Sequence, residues 1–152
     1  MANKQVLTGD DTLKINGDII EDLADGESVV ISFPNELFTM EKGKNGNAIY
    51  AKNESGSITD MTARVLLGSN NDKTLNSLLL SQKQDFIGSS FIDVEFIKRL
   101  GDGAGNVSSV NYFLEGGMFK KEVDTKSSAS GDVEQAVAVY TLQFARVKRI
   151  LS

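Results

Sequence analysis

The chain has 152 residues, 40% of them hydrophobic and 24% charged, a size that suits one domain and a core buried without staples. It holds no Cys, His or Trp, which excludes disulfides, thiolate nucleophiles, cysteine or imidazole metal sites and the His-dependent triads. Sixteen Lys and Arg against 21 Asp and Glu leave a net charge of -5, the wrong sign for a surface that neutralises phosphates.

An enzyme built on this chain would have to work with carboxylates, Lys, Tyr or Ser alone. The expectation is therefore a protein that is not an enzyme and uses no cofactor and no metal. Its charge is unevenly placed: residues 1–41 hold nine acids and two bases, the remainder 12 acids and 14 bases. Such asymmetry suits head-to-tail self-association, the blander alternative being a solvated acidic edge. The start is polar, and no apolar run approaches a signal-peptide core or the ~20 residues of a membrane helix.

Period-two alternation, the strand signal, dominates the chain. Residues 13–15 lead through Asn16-Gly17-Asp18, a tight-turn sequence, into Ile19 and Ile20. Residues 28–33 are β-branched and stop at Pro34, the only proline. Residues 37–42 and 47–52 flank Gly43-Lys44-Asn45-Gly46, a strong hairpin cue. In residues 59–67, Met61, Ala63, Val65 and Leu67 alternate with polar partners and should face the core.

One stretch reads as a helix, near residues 70–84. Leu75, Leu78, Leu79, Gln82 and Phe86 form an amphipathic stripe, Ser69 or Asn70 can cap it, and Gly88 should end it. Packing over the sheet is the default for a lone helix in a β domain. Strands then resume. Ile92, Val94 and Phe96 oppose Asp93 and Glu95, residues 101–106 form a hairpin tip, and Gly116-Gly117 should break the following run. A polar loop at 125–132 precedes a last strand over 133–150, apolar on both faces and so central or at an interface. Together these predict a mainly β domain over 1–152, a β-sandwich or split barrel with one flanking helix.

The chemical motifs fall away on inspection. Gly101-Asp102-Gly103-Ala104-Gly105-Asn106 lacks the third glycine of a dinucleotide loop and leads into a strand, so it is a hairpin tip. Neighbouring acids such as Asp10-Asp11 and Glu21-Asp22 would point to opposite faces of a strand and form no dyad.

Taken in order, the segments resemble the phage tail tube proteins. The run from Gly17 to Phe33, with its acidic D-G-E turn before a β-branched strand, resembles that family's opening. Gly43-Lys44-Asn45-Gly46 matches its G-x-D/N-G turn, and Gly68-Ser69-Asn70-Asn71-Asp72 matches the corner before its helix. The stretch from Lys121 to Val147 fits the family's late polar loop and long final strand. The resemblance spans about residues 13–149 and rests on the order of segments; the Ser/Gly insertion at 126–132 and the basic end at 146–149 depart from it.

The resemblance implies a major tail tube subunit. Six copies would form a ring, and rings stacked head-to-tail would make a hollow tube that conducts DNA without binding it specifically. The setting would be a virion tail assembled in host cytoplasm, with no membrane. Sheath, tail terminator, baseplate and tape measure proteins would be the further partners. Tube proteins of related contractile injection or secretion systems are near alternatives, and a small ligand-binding β-sandwich is a distant one.

The expected inter-ring contact is the hairpin, through Glu41, Lys42, Lys44, Asn45, Asn47 and Tyr50. Asp93 and Glu95 are the expected lumen residues. Lys126, Ser130 and Asp132 of the polar loop and Arg146, Lys148 and Arg149 of the basic end are the expected subunit contacts.

Overall fold

The computed structural model describes residues 5–7, 11–24, 28–124, 127, 130, 131 and 133–151. Its early strands are β1 (Val6–Leu7), β2 (Thr12–Ile15), β3 (Asp18–Ile20) and β4 (Val29–Ser32). Next come β5 (Phe38–Lys42), β6 (Ala48–Lys52) and β7 (Thr59–Leu66), then helix α1 (Asn70–Gln84). Strands β8 (Ile92–Gly101), β9 (Val107–Phe119) and β10 (Val137–Leu151) complete the chain. Among the described residues these form an eight-stranded antiparallel sheet, ordered β3-β2-β8-β9-β10-β7-β4 with β1 also on β8, and a separate ribbon β5-β6. The main sheet curls into half a barrel, so the mainly β fold with one helix stands and takes its split-barrel form.

Local sequence explains the turns. Asn16 and Gly17 both have positive φ, 51° and 86°, the pair that a two-residue type I′ hairpin demands. The 101–106 loop closes on itself. The Asp102 carboxylate accepts from the Ala104 and Asn106 amides at 2.7 and 3.1 Å and from Asn106 Nδ2 at 2.8 Å. Those hydrogen bonds, the Asn106 side chain first, hold the Asp102 carboxyl below its usual range. Donors that a phosphate would need are thus already satisfied, as a hairpin tip requires.

One face of the sheet is core. Met61, Ala63 and Val65 of β7, Ile92 and Val94 of β8, Leu114 of β9, and Ala138, Tyr140, Leu142 and Phe144 of β10 are all buried. Leu75 and Leu79 of α1 pack onto them. Polar bonds fix both ends of the helix. Ser69 Oγ accepts from the Asp72 amide at 3.2 Å, the capping expected of it. The buried Tyr140 hydroxyl donates to the Asp72 carboxylate at 2.6 Å, joining the helix start to β10. Burial first, and that carboxylate second, push the Tyr140 hydroxyl well above its ordinary value. At the other end, Gln82 Oε1 accepts from the Phe119 amide at 3.0 Å.

Five expectations need correction. Leu67 is 56% exposed, because the ladder ends at Leu66 and Gly68, at φ +76°, turns the chain toward the helix. Phe86 is 73% exposed, because the helix stops at Gln84, where Asp85 leaves helical geometry at φ -140° and ψ 81°. Gly88 therefore lies past the end, its amide donating to the Asp85 carboxylate. Residues 133–136 form a 3₁₀ turn rather than strand.

The fifth concerns Gly116-Gly117, which does not break β9. The Phe144 ring lies 2.3 Å from where a Gly117 side chain would begin, so the glycine admits the ring and the strand continues. Strand β10 runs between β9 and β7 and is central, as its two apolar faces predict.

Candidate assembly surfaces

The ribbon β5-β6 is an arm. Every residue of both strands is exposed, and each strand pairs only with the other. Two-stranded ribbons are marginal alone, and here the two legs are pinned to each other at the base. Asn53 donates its amide to the Leu37 carbonyl at 2.9 Å and its Nδ2 to the Glu36 carbonyl at 2.7 Å. Asn35 Nδ2 donates to the Ser55 carbonyl at 3.2 Å. Gly56 is required there, since a Cβ would lie 2.7 Å from Leu37 Cα. At the tip, Gly46 takes φ +83° and the Gly43 amide donates to the Asn47 carbonyl at 2.6 Å.

Glu41, Lys42, Lys44, Asn45, Asn47 and Tyr50, the expected contact residues, are all exposed on this arm. Sequence reading missed its most telling side chains. Register places Met40 opposite Tyr50 and Phe38 opposite Lys52, so one face shows Phe38, Met40 and Tyr50 beside Lys42 and Lys52. Phe38, Met40 and Tyr50 are 62%, 52% and 71% exposed. The alternation of residues 37–42 carried that signal; what it lacked was any core for the face to meet.

The face of the sheet away from the core holds Asp93, Glu95, Arg146 and Lys148. Pairing runs Lys14–Glu95–Phe113–Lys148 across β2, β8, β9 and β10, and Glu115–Arg146 beside it. Asp93, at a bulge, joins this face. Its carboxylate accepts from the Gly116 amide at 3.2 Å, and its own amide donates to Asn16 Oδ1 at 2.9 Å. Asp93, Glu95, Lys14, Phe113 and Glu115 line one open groove, and Phe113, Glu115, Arg146 and Lys148 line the next. Three acids and three bases thus share the surface.

The basic end is split between faces. Arg146 and Lys148 lie with Glu95, whereas Arg149 pairs with Tyr112 on the other side, donating to its hydroxyl at 3.0 Å with the guanidinium 5.8 Å from the ring centre. Ser130 is an exposed turn residue, and Lys126 and Asp132 lie outside the described residues. Asp10, Asp25 and Glu27 of the acidic segment lie outside them too. Among the described residues no group of acids could hold a metal ion, and no helix is long and apolar enough to cross a membrane.

The whole chain, arm included, has counterparts among solved structures. It matches a chain of the anti-feeding prophage cap, a tube terminating cap, at a TM-score of 0.66 over 100% of this chain and 95% of that one, with 12% identity. It shares the fold of contractile injection system components. A chain of the PVC sheath-tube complex in its extended state matches at 0.63, covering 97% and 92%, with 14% identity. A chain of the PVC sheath/tube terminator matches at 0.58, covering 92% of each, with 15% identity. No protein-family model and no curated protein matches the sequence.

Proposed function

We propose that the chain is a non-enzymatic structural subunit of a tail tube, forming rings of six that stack head-to-tail into a hollow conduit. The observation that carries this reading is the projecting arm, exposed on both faces, on a fold matched over 97–100% of its length by tube-associated proteins. A contiguous apolar face left exposed on a soluble chain marks a site of interaction. In the phage form of the reading the tube carries DNA to the host, and sheath, terminator, baseplate and tape measure proteins complete the tail.

A second reading, the tube of a contractile injection system, draws support from the same structures and from the outer sheet face. Asp93 and Glu95 share that face with Lys14, Arg146 and Lys148. A lining of mixed charge would not repel a polyanion as a uniformly acidic one does.

Negative-stain microscopy of the purified protein tests both. Rings or tubes with a central hole are the expected result. A strictly monomeric protein at high concentration, across a range of salt, would end the tube reading.

A further inference from the structure

Glycine follows asparagine twice in this chain, at Asn16-Gly17 and at Asn45-Gly46. Asparagine is thermally labile, and a following glycine makes it more so. With no side chain to shield it, the glycine nitrogen can reach the carboxamide carbon before it when the backbone turns. The fold treats the two sites differently.

Asn16 is locked. Its amide donates to the Asp93 carbonyl at 2.8 Å, and its Oδ1 accepts from the Asp93 amide at 2.9 Å. It ends a turn between β2 and β3, and β2 is paired on both sides within the main sheet. Swinging that carboxamide onto the Gly17 nitrogen would break the side-chain bond, and the paired strands resist the opening that attack needs. The related Asp102-Gly103 step is closed too, since three hydrogen bonds occupy the Asp102 carboxylate. Asp25-Gly26 lies outside the described residues.

Asn45 has no such restraint. It is exposed at the arm tip, and among the described residues its side chain makes no hydrogen bond. The Gly46 amide donates to the Gly43 carbonyl at 3.2 Å, the longer of the two bonds that close the turn. Nothing lies within 4 Å of where a Gly46 side chain would begin, so no neighbour shields that nitrogen. The ribbon pairs only with itself, and such ribbons open readily.

We propose that Asn45 is a self-modifying site of the unassembled chain, at which the Gly46 nitrogen converts the carboxamide to a carboxylate. The nitrogen bonds to Asn45 Cγ, the Cγ–Nδ2 bond breaks, and ammonia leaves carrying the amide proton. The cyclic imide that results is opened by water at either carbonyl. One opening leaves aspartate. The other leaves an iso-aspartyl link, which routes the backbone through the side chain and lengthens it by one methylene. Nothing is oxidised or reduced.

Either product puts a negative charge beside Lys44, and the lengthened link cannot keep the register of so tight a turn. A further consequence rests on the tube reading: a neighbour packed on the tip holds the turn shut, so subunits in a tube keep Asn45 while free subunits lose it.

Peptide mass spectrometry with ammonia release, on the free chain held in warm, mildly alkaline buffer, tests the chemistry. The Asn45 peptide should convert to two acidic isomers, and the Asn16 peptide should convert at least roughly tenfold more slowly. In denaturant the two rates should converge. Asn45→Gln, whose longer side chain closes the ring poorly, should release ammonia no faster than the Asn16 site does. Equal rates in the native chain, or an Asn45 that survives while the denatured chain converts, would overturn the proposal.

Pelleted tubes carried through the same incubation should convert at Asn45 at least roughly tenfold more slowly than the free chain. Equal rates in tube and free chain overturn the protection and leave the tube reading standing. A chain that converts at Asn45 and forms no tube overturns the tube reading and leaves the modification site standing.

Discussion

Strand β7 and the ribbon β5-β6 are written in the same alternating pattern, yet β7 buries every second side chain under the helix and the ribbon buries none. Met61 and Met40 show the contrast in one residue type, the first fully buried and the second 52% exposed. Alternation specifies which side chains share a face; only the neighbouring elements decide whether that face meets protein. In β7 the partner is α1 and the rest of the sheet. For the ribbon no described element supplies one.

That contrast can be broken from the core side first. Leu142→Ala or Leu114→Ala, each removing a fully buried side chain, should cost about 2–5 kcal/mol in denaturant melts. Gly117→Ala comes next, since its methyl would strike the Phe144 ring, and overpacking of this kind costs about 1–3 kcal/mol.

Tyr140→Phe leaves the shape intact and removes the bond to Asp72, worth roughly 1.5–3 kcal/mol for a charged acceptor. Its pH dependence adds a check with a definite sign. The folded protein raises the Tyr140 value, so its contribution is fully present below the unfolded value of about 10 and is lost as pH rises beyond it. Stability of the Phe variant should therefore fall less steeply than wild type in alkali. A parallel fall in both would remove the Tyr140–Asp72 bond from the account.

The smallest expected effect on stability falls on the arm. Met40→Ser with Tyr50→Ser should move the folding free energy by no more than about 0.5 kcal/mol and still abolish polymer. A large loss of stability would mean the ribbon belongs to the core after all.

Much of this was legible in the residues. Alternation located the hairpins and the long final strand, and the Leu75 and Leu79 stripe with Ser69 located the helix. What local pattern does not encode is where long-range packing ends a segment. Phe86 continues the helical stripe past a helix that Asp85 stops, and Leu67 continues an alternation past a ladder that Gly68 turns away. Gly116-Gly117 carries the sequence mark of a break, but Gly117 is a slot for Phe144, 27 residues away in sequence and adjacent across the sheet.

The proposed assembly surfaces are legible as residues and not as surfaces. The turn and its flanks mark six arm residues as contact candidates, but the face holding Phe38 and Met40 emerges only with the register. Arg146, Lys148 and Arg149 read as one basic end, and the strand divides them between two faces. Of the acids in the early segment, Glu21 and Asp22 gain a place only through Asn71, which ties their backbone to the start of the helix.

The central claim is that the arm is an assembly element rather than part of the fold. Removing residues 43–46 and measuring thermal stability and polymer length on the same sample tests it most directly. The account predicts an unchanged melting transition and no stacked tubes. Tubes of normal length from the shortened chain would contradict it.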